Sequence, residues 1–301
     1  MLSGDRRVLE ENSDAALRLR LQREAVDGLD VFVWPQVHSW WHIWRQALRG
    51  HYDIITAQDP FFRGIFAWKL TWFTRAKLNV QVHADLDGVA WYRRIIARFV
   101  LRRADSVRVV SDRVAEQVRQ MRVKASIHVL PIFVDLERFR MLAREAHEGH
   151  VILWIGRLET EKNPGEALDV LRAVRERVHD ARLIMLGEGS QLEQLREKSH
   201  GLPVTFAGWG DPVAYLPQVD VVLSTSRHES WGASIVEALA AGVPVVSCDV
   251  GVAREAGATV AEEGKLAAAT IDVLMTPQRA ELRLRSFDRA AWAQAWRETL
   301  I

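Results

Sequence analysis

The stretch RHESWGASIVEALAAGVPVVS contains two glutamates, Glu229 and Glu237, with seven residues between them. The apolar spacing that follows Glu229 predicts a helix beginning near Trp231 or Gly232. An anion could approach the free N–H groups of its first turn, because three small residues stand there, Gly232, Ala233 and Ser234. A carboxylate accepts hydrogen bonds from neighbouring hydroxyls, so acids flanking a phosphate site suit two sugar rings. The alternative is one helix-capping acid and one solvated acid.

Two cations stand in a second candidate loop, GRLETEKNPGEAL, after a predicted strand. Arg157 and Lys162 lie just before a helix start, where they could grip a diphosphate. The alternative is a pair of solvated loop cations. Gly187 and Gly189, in MLGEGSQLEQL, end the next strand and would let a ligand or another backbone segment approach. A purely structural turn is favoured for this glycine pair, because neither a dinucleotide fingerprint nor a Walker A loop is present.

These candidate loops belong to a regular alternation of strands and helices, which predicts parallel sheets with helical crossovers. A first series of strands covers Asp30–Pro35, Asp53–Gln58, Asn79–Ala84, Ser106–Val110 and Ser126–Ile132. A second series covers Val151–Gly156, Ala181–Gly187, Val204–Gly208, Val219–Thr225 and Val243–Asp249. Helix caps are predicted at Ser13 and at Ser111–Asp112. The fold class is therefore α/β, with two doubly wound Rossmann-like domains.

We place the domains at residues 1–145 and 146–301, with a polar connection over 136–150. The first strand, in MLSGD, is expected to be shortened. The last helix carries Trp292 and Trp296 on one face and is expected to cross back to the first domain. Because ligands bind beyond the carboxyl ends of parallel strands, the candidate residues should line a cleft between the two domains.

Composition narrows the possible classes of protein. The 301 residues are 49% hydrophobic and carry a formal net charge of +1, which does not favour a nucleic-acid partner. The only cysteine, Cys248, excludes a disulfide framework and fits a reducing compartment. Neither a signal peptide nor an apolar run long enough to span a bilayer is present. We therefore expect a cytoplasmic protein.

Taken together, GRLETEKN, LGEGSQLEQL, FAGWG and HESWGASIVEALAAGVPVVSCDVGVARE resemble family 4 of the retaining glycosyltransferases, which have the GT-B fold. The resemblance is strong over about residues 151–257 and looser in the first half. It implies that Glu229 contacts the donor sugar and Glu237 the nucleotide ribose. It also implies that Arg157 and Lys162 hold the donor diphosphate, and that His83 faces the reacting centre across the cleft.

His83 and two neighbouring acids, Asp85 and Asp87, follow a buried strand in HADLDG. His83 could equally be a hydrogen-bonded structural residue. The acids could bind acceptor hydroxyls, position His83 or cap a helix. We expect no metal site: Asp85 and Asp87 lie in the wrong domain for donor phosphates. His38 and His42 have zinc-like spacing but lack the glutamate of a zinc protease, so they are interpreted as surface or packing residues.

Aromatic and basic residues are frequent in the first half, as in FFRGIFAWKLTWFTRAKL and WYRRIIARFVLRR. In the second of these segments we expect Ile95, Phe99 and Val100 to form one apolar stripe. Residues 1–150 carry 24 Lys and Arg against 18 Asp and Glu, or +6, and residues 151–301 carry 16 against 21, or −5. One interpretation is peripheral contact with the inner surface of a membrane. The other is an aromatic core with solvated arginines.

The sequence thus predicts a retaining glycosyltransferase that moves a hexosyl or N-acetylhexosaminyl group from a nucleotide-diphosphate sugar. The acceptor is expected to be a hydroxyl of a sugar or lipid-linked molecule in polysaccharide or glycolipid synthesis, and no cofactor is expected. Two alternatives stay open at this stage. One is an epimerase or phosphorylase with the same fold, and the other is a catalytically silent scaffold that binds a nucleotide sugar.

Overall fold

A computed structural model describes residues 1–11, 13–33, 40–276 and 279–301. The chain divides into two compact units: Met1–Phe133 with Phe287–Ile301, and Val134–Ser286. The sequence places the boundary at 145/146, whereas packing divides the chain after Phe133 and again after Ser286. The difference arises because the predicted polar connection is not a bare linker: it forms a helical turn whose Phe139 is buried in the second unit.

The first unit is built on one sheet in which all the strand pairs are parallel, in the order β2-β1-β3-β4-β5-β6. Its strands are β1 (Leu2–Ser3), β2 (Phe32–Val33), β3 (Ile54–Ala57), β4 (Lys77–Val82), β5 (Ser106–Val109) and β6 (Ser126–Val129). Strands β3 to β5 are nearly all buried, as expected for strands covered on both faces. Trp34 and Pro35, at the end of the first predicted strand, lie outside the described residues.

The second unit has another parallel six-stranded sheet, in the order β12-β11-β10-β7-β8-β9. Its strands are β7 (His150–Ile155), β8 (Ala181–Leu186), β9 (Val204–Gly208), β10 (Val221–Ser224), β11 (Val245–Ser247) and β12 (Thr259–Val260). The predicted α/β class with two Rossmann-like domains is therefore confirmed. The two-residue edge strand β12 was not predicted.

Helices connect the strands. They are α1 (Asp14–Glu24), α2 (Trp40–Arg49), α3 (Phe62–Thr74), α4 (Trp91–Leu101), α5 (Asp112–Gln120), α6 (Glu137–Arg140), α7 (Pro164–Arg175), α8 (Leu192–Lys198), α9 (Ala233–Ala240), α10 (Ala253–Ala256), α11 (Leu266–Met275) and α12 (Arg289–Glu298). Ser13 caps α1 by accepting from the Ala16 N–H at 3.0 Å, and Ser111 caps α5, both as predicted.

The apolar stripe predicted for α4 is wrong. Ile95 is 60% exposed and Phe99 38% exposed, whereas the buried face consists of Ala97, Val100 and Leu101. The error has a physical cause: the sequence WYRRIIARFVLRR is apolar on more than one side, so helical spacing alone does not select the face that packs on the sheet.

Helix α12 belongs to the first unit. Trp292 and Trp296 are both buried and pack in one cluster with Leu21 of α1 and with Leu130 and Phe133, which follow β6. The Trp292 indole N–H donates to the Pro131 carbonyl at 2.9 Å, which fixes the orientation of the ring. Over the residues that the structure describes, no helix has both the length and the hydropathy of a membrane span.

Candidate active site

Two candidate residues, Lys162 and Glu229, are in contact at the point where the strand order of the second sheet reverses. From β7 the chain builds outward through β8 and β9, then returns so that β10 pairs with β7 on the other side. Lys162 follows β7 and Glu229 follows β10. The Lys162 Nζ donates to a Glu229 carboxylate oxygen, and the two side chains are only 20% and 14% exposed. Such a switch point is where open α/β sheets bind ligands.

Thr225, the first residue after β10, holds these two loops together. Its hydroxyl lies 3.0 Å from the Lys162 carbonyl and 2.8 Å from the Asn163 carbonyl. The same oxygen lies 2.9 Å from the indole nitrogen of the buried Trp154, which donates to it. Farther along the loop, the Arg227 N–H donates to the Glu161 carbonyl at 3.1 Å. The backbone that carries Lys162 is therefore fixed relative to the loop that carries Glu229.

Arg157 occupies the start of the β7 loop. Its guanidinium donates to Glu161 at 2.6 Å, and its side chain is 62% exposed. An exposed pair of this kind contributes little to stability, so the arginine can exchange its partner at small cost. Lys162, in contrast, is held in a largely buried pair. The two predicted diphosphate ligands thus lie in one loop but in different environments.

The loop after β8 lies directly against the β7 loop, and its glycines make this possible. A Cβ on Gly187, where φ is +147°, would lie 1.8 Å from the Gly156 carbonyl oxygen, and one on Gly189 would lie 2.4 Å from the Leu158 carbonyl oxygen. The Gly187 N–H donates to the Gly208 carbonyl at 2.7 Å. This geometry gives Gly187 a structural role, and its contact with a ligand stays a prediction.

Helix α9 begins at Ala233, after Gly232 in a left-handed conformation with φ of +93°. No described side chain caps this helix, so Ala233 and Ser234 contribute N–H groups at an uncapped start. Glu237 lies one turn further and is partly buried. The segment just before the helix packs against the backbone of Gly251, where a Cβ would lie 2.3 Å from the Trp231 carbonyl oxygen.

His83, which follows β4 in the first unit, is at the end of a buried polar network. Its Nε2 lies 3.4 Å from the Gln81 side-chain oxygen, which also accepts from Arg108 at 2.8 Å. Desolvation, with smaller contributions from the positive charges of Arg108 and Arg18, lowers the pKa of His83 to about 3. The imidazole is therefore neutral at physiological pH.

Arg108 is 2% exposed, and its guanidinium donates to the Gln81 side chain and to the Leu130 and Pro131 carbonyls, none of which is charged. Burial, followed by the charge of Arg18, lowers the pKa of Arg108 to about 9. A buried cation without a carboxylate partner in the described residues keeps nearby imidazole from protonating. The arginine thus fixes the position of the Gln81 amide and adds to the effect of burial, which keeps His83 neutral.

Asp85 and Asp87 are held by one side chain from α5. The Gln117 amide nitrogen donates to Asp85 at 2.6 Å and to Asp87 at 2.9 Å, and the Gln117 oxygen accepts from the Leu86 N–H at 3.0 Å. Arg94 also pairs with Asp87 at 3.1 Å. Both acids therefore organise the loop that follows His83. Neither caps a helix, since Ala90 occupies the cap of α4.

The structure thus brings Lys162 and Glu229 into contact and places Arg157 in the same loop as Lys162. Thr225, Gly251 and Gln117 were missed by the sequence analysis, because single residues of these types have no distinctive spacing. No group of three or more His, Cys, Asp or Glu side chains within the described ranges could hold a metal ion. His38, of the proposed zinc-like pair, lies outside the described residues.

Comparison with known proteins defines the class. The family model "Glycosyltransferase Family 4" matches residues 9–138, and "Glycosyl transferases group 1" matches residues 149–276. The two matches lie in succession along the chain, and each covers most of one of the two Rossmann-like sheets. The chain belongs to these glycosyltransferase families and has the GT-B fold. The resemblance drawn from the sequence motifs is confirmed.

Two curated relatives act on phosphatidylinositol derivatives, according to their names. The GDP-mannose-dependent alpha-(1-6)-phosphatidylinositol dimannoside mannosyltransferase of Mycobacterium tuberculosis is 33% identical over 129 residues, which are 39% of this chain and 34% of the relative. The phosphatidyl-myo-inositol mannosyltransferase of Mycobacterium leprae is 28% identical over 72% of this chain and 60% of the relative. The matched regions therefore span about a third to 60% of the length of these relatives.

Solved structures show the same fold. Anabaena Alr3699/HepE, in complex with UDP and glucose, superposes with a TM-score of 0.73 and 17% identity, covering 100% of this chain and 94% of that one. The lipopolysaccharide outer core galactosyltransferase WaaB superposes with a TM-score of 0.64 and 18% identity, covering 86% of this chain and 74% of that one. At these identities the similarity concerns the fold.

Proposed function

We propose that this protein is a retaining glycosyltransferase that moves a sugar from a nucleotide-diphosphate sugar to an acceptor hydroxyl. The observation that carries the proposal is the largely buried ion pair between Lys162 and Glu229 at the switch point of the second sheet. A buried pair adds little net stability compared with apolar residues of similar size. A cation and an acid kept at that position therefore favour a ligand with both phosphates and hydroxyls.

The diphosphate is assigned to Lys162, Arg157 and the N–H groups of Ala233 and Ser234. An ammonium group has three donors, so Lys162 can keep one on Glu229 and turn the others to phosphate oxygens. Arg157 can leave its exposed partner Glu161 at small cost. The uncapped start of α9 adds the positive end of a helix dipole. These groups supply the neutralisation that a metal ion would otherwise give, so we propose transfer without a metal or cofactor.

The two glutamates are assigned to the two sugars of the donor. Glu229 is held by the diphosphate-binding lysine, which suits a contact with the transferred sugar. Glu237 lies one turn into the helix whose start receives the phosphates, which suits a contact with the ribose. His83, in the first unit and neutral at physiological pH, is proposed to serve the transfer step and not nucleotide binding.

In the proposed step, the bond between the anomeric carbon and the β-phosphate oxygen breaks as the acceptor oxygen bonds to the same face of that carbon. The acceptor proton passes to the departing phosphate oxygen. Negative charge grows on the diphosphate during this step, and Lys162, Arg157 and the helix start stabilise it. We assign no side chain as a covalent nucleophile, and direct front-face substitution is the proposed route.

The acceptor is proposed to be a lipid-linked molecule or a sugar in glycolipid or polysaccharide synthesis. The names of the two phosphatidylinositol mannosyltransferases support this assignment, and mannosyl transfer from GDP-mannose is the first donor reaction to test. A hexosyl or N-acetylhexosaminyl group is proposed for transfer. We place the protein in the cytoplasm, with peripheral contact at the membrane where such acceptors lie.

The test is a thermal-shift screen with GDP-, UDP- and ADP-sugars, followed by a donor-hydrolysis assay and NMR of the product anomer. At a concentration 100 times Kd a bound donor stabilises the fold by about 2.7 kcal/mol, which raises Tm by roughly 5–10 °C. Lys162→Met should reduce the shift to about half or less at the same ligand concentration, and Lys265→Met, at an exposed lysine of the same unit, should keep it.

Inversion of the anomeric centre would refute the retaining mechanism. A donor that binds but is never hydrolysed or transferred, with any of the offered acceptors, would favour the silent scaffold. Loss of the thermal shift in both lysine variants would show that charge in general, and not the Lys162 site, is responsible.

A further inference from the structure

Two groups of aromatic rings link the surfaces of three neighbouring helices of the first unit. Helix α3 contacts both α2 and α4. Trp44 of α2 meets Phe73 of α3 with 4.3 Å between ring centroids, and Trp68 of α3 meets Trp72 at 4.7 Å and Phe99 of α4 at 5.1 Å. We call this surface, together with the exposed residues of α4, the α3–α4 face.

The rings of this face are not core residues. Trp72 is 65% exposed, Phe73 55%, Trp91 75% and Ile95 60%. Exposed apolar side chains that cluster in this way are typical of surfaces that contact a membrane or a partner. Many of the tryptophans and phenylalanines of the first half therefore do not pack inward, contrary to the interpretation of an aromatic core.

Positive charge accompanies the rings. Helices α2, α3 and α4 contain no Asp or Glu and seven Lys and Arg residues: Arg45, Arg49, Arg63, Lys69, Arg93, Arg94 and Arg98. Two of these, Arg63 and Arg94, pair with acids outside the helices, Asp59 and Asp87. An open depression of about 630 Å³ lies at the end of α4 and is lined by Arg98, Arg102, Arg103, Lys124, Ile95 and Phe99. In the described part of the chain, Arg98, Arg102 and Lys124 form no ion pair.

Arg103 shows how the cations and rings are arranged together. Its guanidinium lies 3.6 Å from the Phe99 ring centroid and 5.2 Å from that of Trp68, and it donates to the Phe99 carbonyl at 2.9 Å. Arginines next to amphipathic rings suit the boundary of a bilayer, where rings enter the headgroup layer and cations meet lipid phosphates.

We propose that the α3–α4 face docks on the surface of an anionic lipid bilayer. A second copy of the chain is disfavoured as occupant, because two such cationic faces would repel each other. The inference deepens the proposed function, since a protein lying on this face would meet lipid-linked acceptors at the membrane. Its test needs neither donor nor turnover, so failure of one proposal leaves the other standing.

The experiment is co-sedimentation with vesicles of phosphatidylcholine alone and of phosphatidylcholine with phosphatidylglycerol. We expect binding to the anionic vesicles that weakens as salt increases. Each cation near such a surface contributes about fivefold in affinity, so Arg98→Gln with Arg102→Gln should lower the partition coefficient about 30-fold. The matched control is Arg20→Gln with Arg23→Gln, two exposed arginines of α1, a helix without aromatic residues, which should bind as the original protein does.

Trp72→Ser tests the aromatic part, and it should weaken the binding that persists at high salt. Equal binding to neutral and anionic vesicles, or equal loss in both arginine pairs, would overturn the proposal. So would a concentration-dependent dimer that Trp72→Arg dissociates, since it would assign the face to a second copy. Retention on single-stranded RNA that lipid vesicles do not compete for would likewise assign it to nucleic acid.

Discussion

Replacing Lys162 with methionine tests the central ion pair of the site. The change keeps the length of the side chain and leaves the Glu229 carboxylate without its cation. Removing one partner of a fully buried pair costs about 3–5 kcal/mol, and exposed pairs contribute less than about 1 kcal/mol. With exposures of 20% and 14%, this pair lies between the two cases, and we expect a loss of about 2 kcal/mol in the free energy of unfolding.

The loss should be recovered when the second charge is removed as well. In a domain of about 150 residues, 2 kcal/mol lowers Tm by roughly 4–8 °C. Glu229→Gln should also destabilise, whereas the double variant should be about 2 kcal/mol more stable than the sum of the two changes predicts. Calorimetric unfolding of all four proteins measures this coupling. Additive effects within about 0.5 kcal/mol would refute the ion pair as a stabilising contact.

The same variants separate the two ligand roles. Lys162→Met should weaken the binding of a bare nucleoside diphosphate about 10- to 100-fold, because a hydrogen bond to a charged group contributes roughly 1.5–3 kcal/mol. Glu229→Gln should keep that affinity or increase it, since Lys162 loses a competing acceptor, and should depress transfer. If Glu229→Gln loses the diphosphate as Lys162→Met does, the assignment of Glu229 to the transferred sugar is wrong.

Four further changes test other parts of the site. Arg157→Ala should weaken the binding of a nucleoside diphosphate about 10- to 100-fold and leave the affinity for the free nucleoside unchanged. Glu237→Ala should weaken the binding of both ligands. Titration calorimetry of each variant with each ligand distinguishes the two roles. His83→Gln should lower turnover but not diphosphate affinity. Between pH 6.5 and 3 the unfolded chain protonates His83, whereas the folded protein, with its His83 pKa near 3, does not, so the free energy of unfolding falls as the pH is lowered. His83→Gln should reduce this fall. An unchanged dependence of the unfolding free energy on pH would contradict the prediction. Gly187→Ala should cost more than about 3 kcal/mol in unfolding free energy, against about 1 kcal/mol for Gly201→Ala, where a Cβ meets nothing within 4 Å.

The sequence predicted elements best where one physical signal dominates. The strand Val204–Gly208 was predicted with its observed bounds, because an apolar run ends there in a glycine. Ser13 and Ser111 cap their helices as predicted, because a serine hydroxyl at a helix start satisfies a free N–H. The two-residue strand β12 is too short for any periodicity, and only its pairing with β11 defines it.

The site was predicted only in part, for a different reason. The residue types and spacing around Glu229 and Glu237 were informative, but the contact between Lys162 and Glu229 joins residues 67 positions apart. These residues meet because β7 lies beside β10 in the sheet, and no local sequence pattern predicts that strand order. Ile95 and Phe99 of α4 were assigned to the wrong face for a related reason, since burial depends on the packing of the helix against the sheet.

The polar network beneath His83 has a consequence for how the protein is made. The buried Asn79 amide donates to the Thr299 carbonyl at 2.8 Å, and the Ser106 hydroxyl donates to the Leu300 carbonyl at 3.1 Å. These partners are separated by 220 and 194 positions, and the entire second unit is synthesised between them. During translation the central strands of the first unit therefore cannot complete this network until the second unit has left the ribosome. The unit whose strands are translated first is thus completed by a helix that is translated after the whole of the second unit.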